Sequence, residues 1–137
     1  MSADTLAATH AAAFINRRAW SAEEFRKLLS SPAVILCGDA KSFILGRVIA
    51  DEAEVLTLAT DPQFRRQGLA ETHLRKFLAT TLQNGASSTF LEVSADNAAA
   101  KALYLKSKFS VVGERPNYYS TSDGKKVSAI LMRREAF

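Results

Sequence analysis

The sequence predicts an α/β fold, a mixed and mostly antiparallel central sheet flanked by helices. Three observations carry this expectation. A helix-start signal, Ser21-Ala22-Glu23-Glu24, precedes the first strand-like run. Three short runs rich in Val, Ile, Leu and Phe then follow one another across tight turns. Finally, a helical apolar period appears after Gly68 and stands between two strand-like runs.

Taken in order, residues 3–14 suit a short helix. A second begins at Ser21, where Ser21 and Glu24 form a capping-box pattern, runs to Leu29 and stops before Pro32. Runs 33–37, 42–50 and 54–60 are separated by Gly38-Asp39 and Asp51-Glu52, and read as an antiparallel meander. After Gly68, residues Ala70, Leu74, Phe77, Leu78 and Thr81 share one helical face, with Arg75, Lys76 and Gln83 largely elsewhere; Asn84-Gly85 ends that helix. A strand (89–94), a helix (97–106) and two strands around Ser122-Asp123-Gly124 complete the chain. The strand-helix-strand passage over 54–94 implies one parallel pairing with a right-handed crossover.

Composition narrows the function classes. The chain has 137 residues, the size of one domain, and is read as a single unit over 1–137. With 47% hydrophobic and 23% charged residues it has the balance of a globular protein, and its apolar runs are all short of a membrane span. Residues 1–14 lack a basic n-region and carry Asp4 and His10, so they do not read as a signal peptide. The single cysteine, Cys37, sits in an apolar run and is expected to be a buried, inert thiol in a reducing compartment. The net charge of +4 is scattered and lacks the dense cluster of a nucleic-acid groove. His10 and His73 fall on predicted helices without partner ligands, His73 at the surface or flank; no metal-spaced cluster is present, and no metal is expected.

The stretch Leu58-Ala59-Thr60-Asp61-Pro62-Gln63-Phe64-Arg65-Arg66-Gln67-Gly68-Leu69-Ala70 is the most informative. A strand ends, a basic loop follows, and a glycine opens a helix. Unpaired N–H groups of a first helical turn and the helix dipole favour an anion, commonly phosphate. Gly68 would let the backbone approach a ligand without a Cβ, and Arg65 and Arg66 would add charge-assisted hydrogen bonds. In isolation the same stretch also reads as a plain strand-to-helix connection with two solvated arginines. It matches neither the Walker A ending nor the dinucleotide fingerprint.

Arg65-Arg66-Gln67-Gly68-Leu69-Ala70 resembles the Arg/Gln-x-x-Gly-x-Gly/Ala pyrophosphate loop of the GCN5-related N-acetyltransferases (GNAT). The stretch from Phe90-Leu91-Glu92-Val93 through Asn97 to Tyr104 resembles the second half of that family. Arg115-Pro116-Asn117-Tyr118-Tyr119, Asp123-Gly124 and Arg18-Ala19-Trp20-Ser21 look like its ribosomal-protein-alanine N-acetyltransferase branch (RimI). The resemblance covers about residues 6–132. Ala70 stands where glycine is commonest, and Lys108 precedes Phe109 where the family usually has glycine; if that position needs a positive φ, Lys108 is strained.

The resemblance implies an acyl-CoA N-acyltransferase fold, acetyl-CoA as co-substrate, and direct attack of an amine on the thioester in a ternary complex. By that resemblance Glu92 is the general base and Tyr104 the proton donor to the departing thiolate. Arg65, Arg66, Gln67, Gly68, Leu69 and Ala70 hold the pyrophosphate, and Asn97 and Tyr104 contact the cofactor. Leu58, Ala59 and Thr60 pair with pantetheine through their backbone. Plainer readings stand beside these: Glu92 as an exposed carboxylate on a half-buried strand, Tyr104 as a core tyrosine, Asn97 as a helix N-cap. Trp20, Tyr118 and Tyr119 are candidate walls of an acceptor-peptide groove or ordinary packing residues. The branch implies that the acceptor is the N-terminal alanine of a ribosomal protein, in the cytoplasm, without membrane or direct nucleic-acid binding. Acetylation of a small-molecule amine or a lysine side chain, or a non-catalytic acyl-CoA-binding module, are the alternatives.

Overall fold

Two short helices lead the chain, each started by a serine. Helix α1 (Ala3–Ala13) is capped by Ser2, whose side chain accepts from the Thr5 N–H. Helix α2 (Ala22–Leu29) carries the full capping box: Ser21 Oγ accepts from the Glu24 N–H, and the Glu24 carboxylate accepts from the Ser21 N–H. Strands β1 (Val34–Gly38), β2 (Ser42–Ile49) and β3 (Glu52–Thr60) follow, then a 3₁₀ turn (Pro62–Phe64), helix α3 (Leu69–Gln83), strand β4 (Ser88–Ser94), helix α4 (Ala98–Lys106) and strands β5 (Ser110–Ser120) and β6 (Lys126–Glu135). This computed structural model describes residues 2–14 and 18–136.

The elements are those expected, with local corrections. The second turn falls at Ala50-Asp51, where Ala50 takes φ 57°, so β3 begins at Glu52 and not at 54. Asn97 lies outside α4 as its cap, Oδ1 accepting from the Ala100 N–H at 3.2 Å. The 3₁₀ turn was not foreseen; Asp61 starts it by accepting from the Gln63 N–H, with proline at its first position. Lys108 does adopt φ 75°, the strained alternative raised by its place in the sequence.

One six-stranded sheet runs in the order β1-β2-β3-β4-β6-β5. Every neighbouring pair is antiparallel except β3 and β4. That parallel pairing is short: Glu52 faces Ser88, Ala53 faces Thr89 and Glu54 faces Phe90, and the ladder then stops. Next to its end, β3 bulges against β2. Leu45 faces Thr57 while Gly46 faces Val55, so Leu56 is an extra residue in β3. A bulge bends its strand, and β3 and β4 go on without pairing from this point.

Two apolar clusters cover the two faces. Leu74 and Phe77 of α3 and Tyr104 of α4 pack with Ile44, Val55, Leu91, Val93, Phe109 and Met132 on one. Leu6 of α1 and Phe25 of α2 pack with Phe43, Leu45 and Ala59 on the other. Burying each such large side chain is worth about 1.5–3 kcal/mol of transfer free energy. Gly46 is required by packing: a Cβ there would fall under 3.0 Å from the Phe77 ring and the Glu54 carbonyl oxygen.

Candidate active site

The divergence of β3 and β4 leaves a wedge in the middle of the sheet. Toward β4, the backbone of β3 beyond Glu54 has no strand opposite it; the same is true of β4 beyond Phe90 on its β3 side. Leu58, Ala59 and Thr60 lie on this stretch with their side chains engaged elsewhere. Leu58 packs against the α3–α4 cluster, Ala59 is buried on the α1–α2 face, and the Thr60 and Ser42 hydroxyls are 2.8 Å apart. Backbone groups therefore form the β3 edge of the wedge, a suitable edge for an extended ligand that adds like a strand.

At the end of β3 the chain turns into α3. Gly68 is the N-cap residue with φ 75°, no side chain caps the helix, and nothing lies within 4 Å of where a Cβ would stand. The first-turn N–H groups thus have no side-chain cap, and the positive end of a 15-residue helix dipole lies behind them. Glu71 in that first turn would oppose an anion, but Arg75 (3.3 Å) and Lys106 of α4 (3.1 Å) pair with its two oxygens. Arg66, at φ 64°, lies in the loop before Gly68. Arg65 Nη2 donates to the carbonyl oxygen of Ala13 at 3.4 Å, so in this state its guanidinium reaches the C-terminal end of α1.

Glu92 and Tyr104 flank the wedge from opposite faces of the sheet. Leu91 and Val93 point into the α3–α4 cluster, so the strand alternation sends Glu92 to the α1–α2 side. Its side chain is 31% exposed, and Arg115 Nη2 of β5 lies 3.3 Å from its Oε1. Tyr104 is buried in the α3–α4 cluster, edge-on to Phe109 at 5.4 Å. Burial raises its phenol above the ordinary tyrosine value, so it stays protonated as a donor through the neutral range.

The expected groove walls divide. Trp20 belongs to an aromatic cluster: it stacks on His10 at 5.2 Å and tilts against Phe25 at 5.6 Å. Tyr118 is exposed, meets Tyr119 edge-on at 5.2 Å and carries the Arg115 guanidinium over its ring at 5.2 Å. No ring contact joins Trp20 to either tyrosine among the described residues.

Three residues have contacts that sequence reasoning did not assign. His10 is a buried packing and hydrogen-bonding group, whose Nδ1 accepts the Trp20 N–H at 3.2 Å; burial holds its pKa down at about 4. His73 is not simply a surface residue, since its Nε2 is buried without a partner where the ring packs by Gly38. Arg115 stood in a quoted motif but had no assigned role; its tie to Glu92 crosses an intervening strand and leaves no spacing signal. Cys37 is free and buried, and burial pushes its thiol up, as expected of an inert cysteine. Among the described residues no helix is long and apolar enough to cross a membrane. An open basin of about 470 Å³ at the β5–β6 edge, lined by Lys108, Ser110, Val112, Arg133, Arg134 and Glu135, includes none of the expected site residues.

Comparison with known proteins adds an independent line. The model of the Acetyltransferase (GNAT) family matches residues 10–109. The chain is 39% identical over 95 residues to the [ribosomal protein bS18]-alanine N-acetyltransferase of Escherichia coli strain K12; the match covers 69% of this chain and 64% of that protein's length. It is 33% identical to the N-alpha-acetyltransferase RimI of Mycobacterium tuberculosis, over 90% of this chain and 80% of that one. The crystal structure of the ribosomal-protein-S18-alanine N-acetyltransferase from Escherichia coli superposes with a TM-score of 0.88 at 29% identity, covering 98% of this chain and 87% of that one. Arabidopsis thaliana NAA60, solved in complex with acetyl-CoA, shares the fold at a TM-score of 0.84 and 14% identity, over 98% of this chain and 93% of that one.

Proposed function

The chain belongs to the acetyltransferase (GNAT) family, and from that premise we propose that it transfers an acetyl group from acetyl-CoA to the N-terminal α-amine of a ribosomal protein, with alanine as the acceptor residue. The carrying observation is the wedge between β3 and β4, with the uncapped, glycine-started helix α3 beyond the end of β3, Glu92 on one face and Tyr104 on the other. Relatives named for alanine N-acetylation of ribosomal protein bS18 support the acceptor, and a ribosomal acceptor supports a cytoplasmic site of action.

Acetyl-CoA supplies an activated acetyl group as a thioester. The α3 N-terminus with Arg66, Gln67 and Gly68 accommodates its pyrophosphate, and the free β3 edge from Leu58 to Thr60 accommodates an extended chain. Glu92 takes the proton from the attacking amine, directly or through one water. An α-amine, with a pKa near 7.7–8.0, is about one-tenth neutral at pH 7, so little is asked of that base. Tyr104 offers its O–H to the sulfur as charge develops there. Its raised pKa favours a hydrogen bond over complete proton transfer, because a thiol is the stronger acid, at about 8.5.

The test compares initial rates of CoA release with two peptides at saturating acetyl-CoA. One has a free N-terminal alanine, and the other has a blocked N-terminus and an internal lysine. A lysine amine, with a pKa near 10.4, costs a further 3–4 kcal/mol or so to deprotonate. The alanine peptide should turn over far faster, and Glu92→Gln should lower kcat by roughly 10²- to 10⁴-fold. Equal rates, or preference for lysine, would refute the N-terminal assignment. Binding of acetyl-CoA without turnover of any amine would point to a non-catalytic module.

A further inference from the structure

Arg115 and Glu92 lie on strands that do not touch, because β6 runs between β4 and β5. In register, Glu92 faces Leu131 and Arg115 faces Ala129, so both project from the same face, two strand spacings or about 10 Å apart across the sheet and two residues or about 7 Å apart along it. Long side chains are needed to close that gap, and the small Ala129 beside the path leaves it open. The resulting ion pair is 3.3 Å long.

Arg115 is also held from behind. In a regular strand, residues three apart point to opposite faces and cannot stack. Here Arg115 faces Ala129 while Tyr119 faces Val127, so β5 carries two extra residues across that step. Asn117 takes φ 54°, its N–H donates to Ser128 Oγ at 3.4 Å, and Tyr118 folds back until its ring lies 5.2 Å from the Arg115 guanidinium carbon. An exposed ion pair of this kind adds at most about 1 kcal/mol to stability. Orientation is the larger consequence, since a glutamate on a half-open strand otherwise samples many rotamers.

We propose that Arg115 is a positioning residue for the acceptor half of the site: clamped on Tyr118, it fixes the Glu92 carboxylate in one orientation on the α1–α2 face of the sheet, drawn across β6 toward the Tyr118 wall. This rests on the reading of Glu92 as the base. Arg115 engages Oε1, which leaves Oε2 to take the proton as the amine N–H bond breaks. The same clamp joins the base to the exposed aromatic wall at Tyr118, so an acceptor seated on that wall also sets the geometry of its own deprotonation.

The experiment measures kcat and both KM values with the N-terminal alanine peptide for wild type, Arg115→Met, Arg115→Lys, Glu92→Gln and the Glu92→Gln/Arg115→Met double variant, with melting curves for each. Arg115→Met should lower kcat about tenfold or more, leave the KM for acetyl-CoA unchanged and keep the melting temperature. Arg115→Lys should recover part of the loss, since it keeps the charge and loses the flat fork. The double variant should be no slower than Glu92→Gln alone. Near wild-type kcat in Arg115→Met, or a full repeat of its loss on the Glu92→Gln background, overturns the positioning role while the base assignment stands. Unimpaired turnover by Glu92→Gln overturns both.

Discussion

Acidification should loosen the α1–α2 junction through His10, and the size of the effect follows from its surroundings. The imidazole is 4% exposed, accepts the Trp20 N–H at Nδ1, and is flanked by the rings of Phe14 (4.6 Å), Trp20 (5.2 Å) and Phe25 (5.7 Å). Desolvation by this cluster lowers its pKa from 6.5 to about 4; Glu24 opposes the shift and Arg18 reinforces it. The unfolded chain therefore takes up a proton below about pH 6.5 that the folded chain refuses until about pH 4. Stability falls across that window and levels off below it. The gap between 6.5 and about 4, at 1.36 kcal/mol per pKa unit, sets a ceiling of about 3 kcal/mol. Arg18 first, and the Ser21 N–H second, hold the Glu24 carboxyl down from 4.5 to about 2, so stability is also lost there as the unfolded carboxyl takes up a proton below about pH 4.5. That loss is common to wild type and a His10 variant and cancels in their difference. The assay is urea denaturation at pH 7, 6, 5 and 4, followed by the fluorescence of Trp20, the chain's single tryptophan. The reference is His10→Asn, whose amide oxygen can accept the same N–H but cannot titrate. The stability difference, wild type minus variant, should shrink by up to about 3 kcal/mol from pH 7 to pH 4. Parallel pH profiles for the two proteins would refute the argument.

Gly46→Ala should destabilise the fold by about 1–3 kcal/mol in a denaturant titration, because its Cβ meets the Glu54 carbonyl oxygen, which cannot move aside like a side chain tip. Gly68→Ala should cost only about 1 kcal/mol of stability, since space is open around it and the left-handed φ is the sole penalty. Gly68→Val should in addition raise the acetyl-CoA Kd, and calorimetry showing unchanged affinity in the folded variant would remove this loop from the site. Tyr104→Phe keeps the edge-on packing against Phe109, so its melting temperature should hold while kcat falls by roughly 10²-fold. Wild-type kcat with chemistry rate-limiting would leave Tyr104 as a core residue.

The features legible in the sequence are those whose causes are local. Ser21 with Glu24, Asn97 three residues before Ala100, and Gly68 ahead of the apolar face of Leu74 and Phe77 each mark a helix start through groups within a turn of one another. Such signals also fixed the order of strands and helices and the placement of the basic loop between β3 and α3. The sequence could align Glu92 and Tyr104 with a family's second half, but could not say that they flank the sheet from opposite sides. That depends on Leu91, Val93 and Tyr104 sharing one cluster. The wedge is likewise a tertiary feature, because the Leu56 bulge and the early end of the β3–β4 ladder are matters of register between strands. Register also explains why Arg115 went unassigned. Its partner is 23 residues away in sequence and one strand further off in space, and a contact across β6 exists only once β4, β6 and β5 are in line and the two-residue bulge has turned Tyr118 back. Residues within one turn constrain each other through the backbone that joins them, whereas residues separated by a strand meet through the packing of everything between, which the linear sequence does not display.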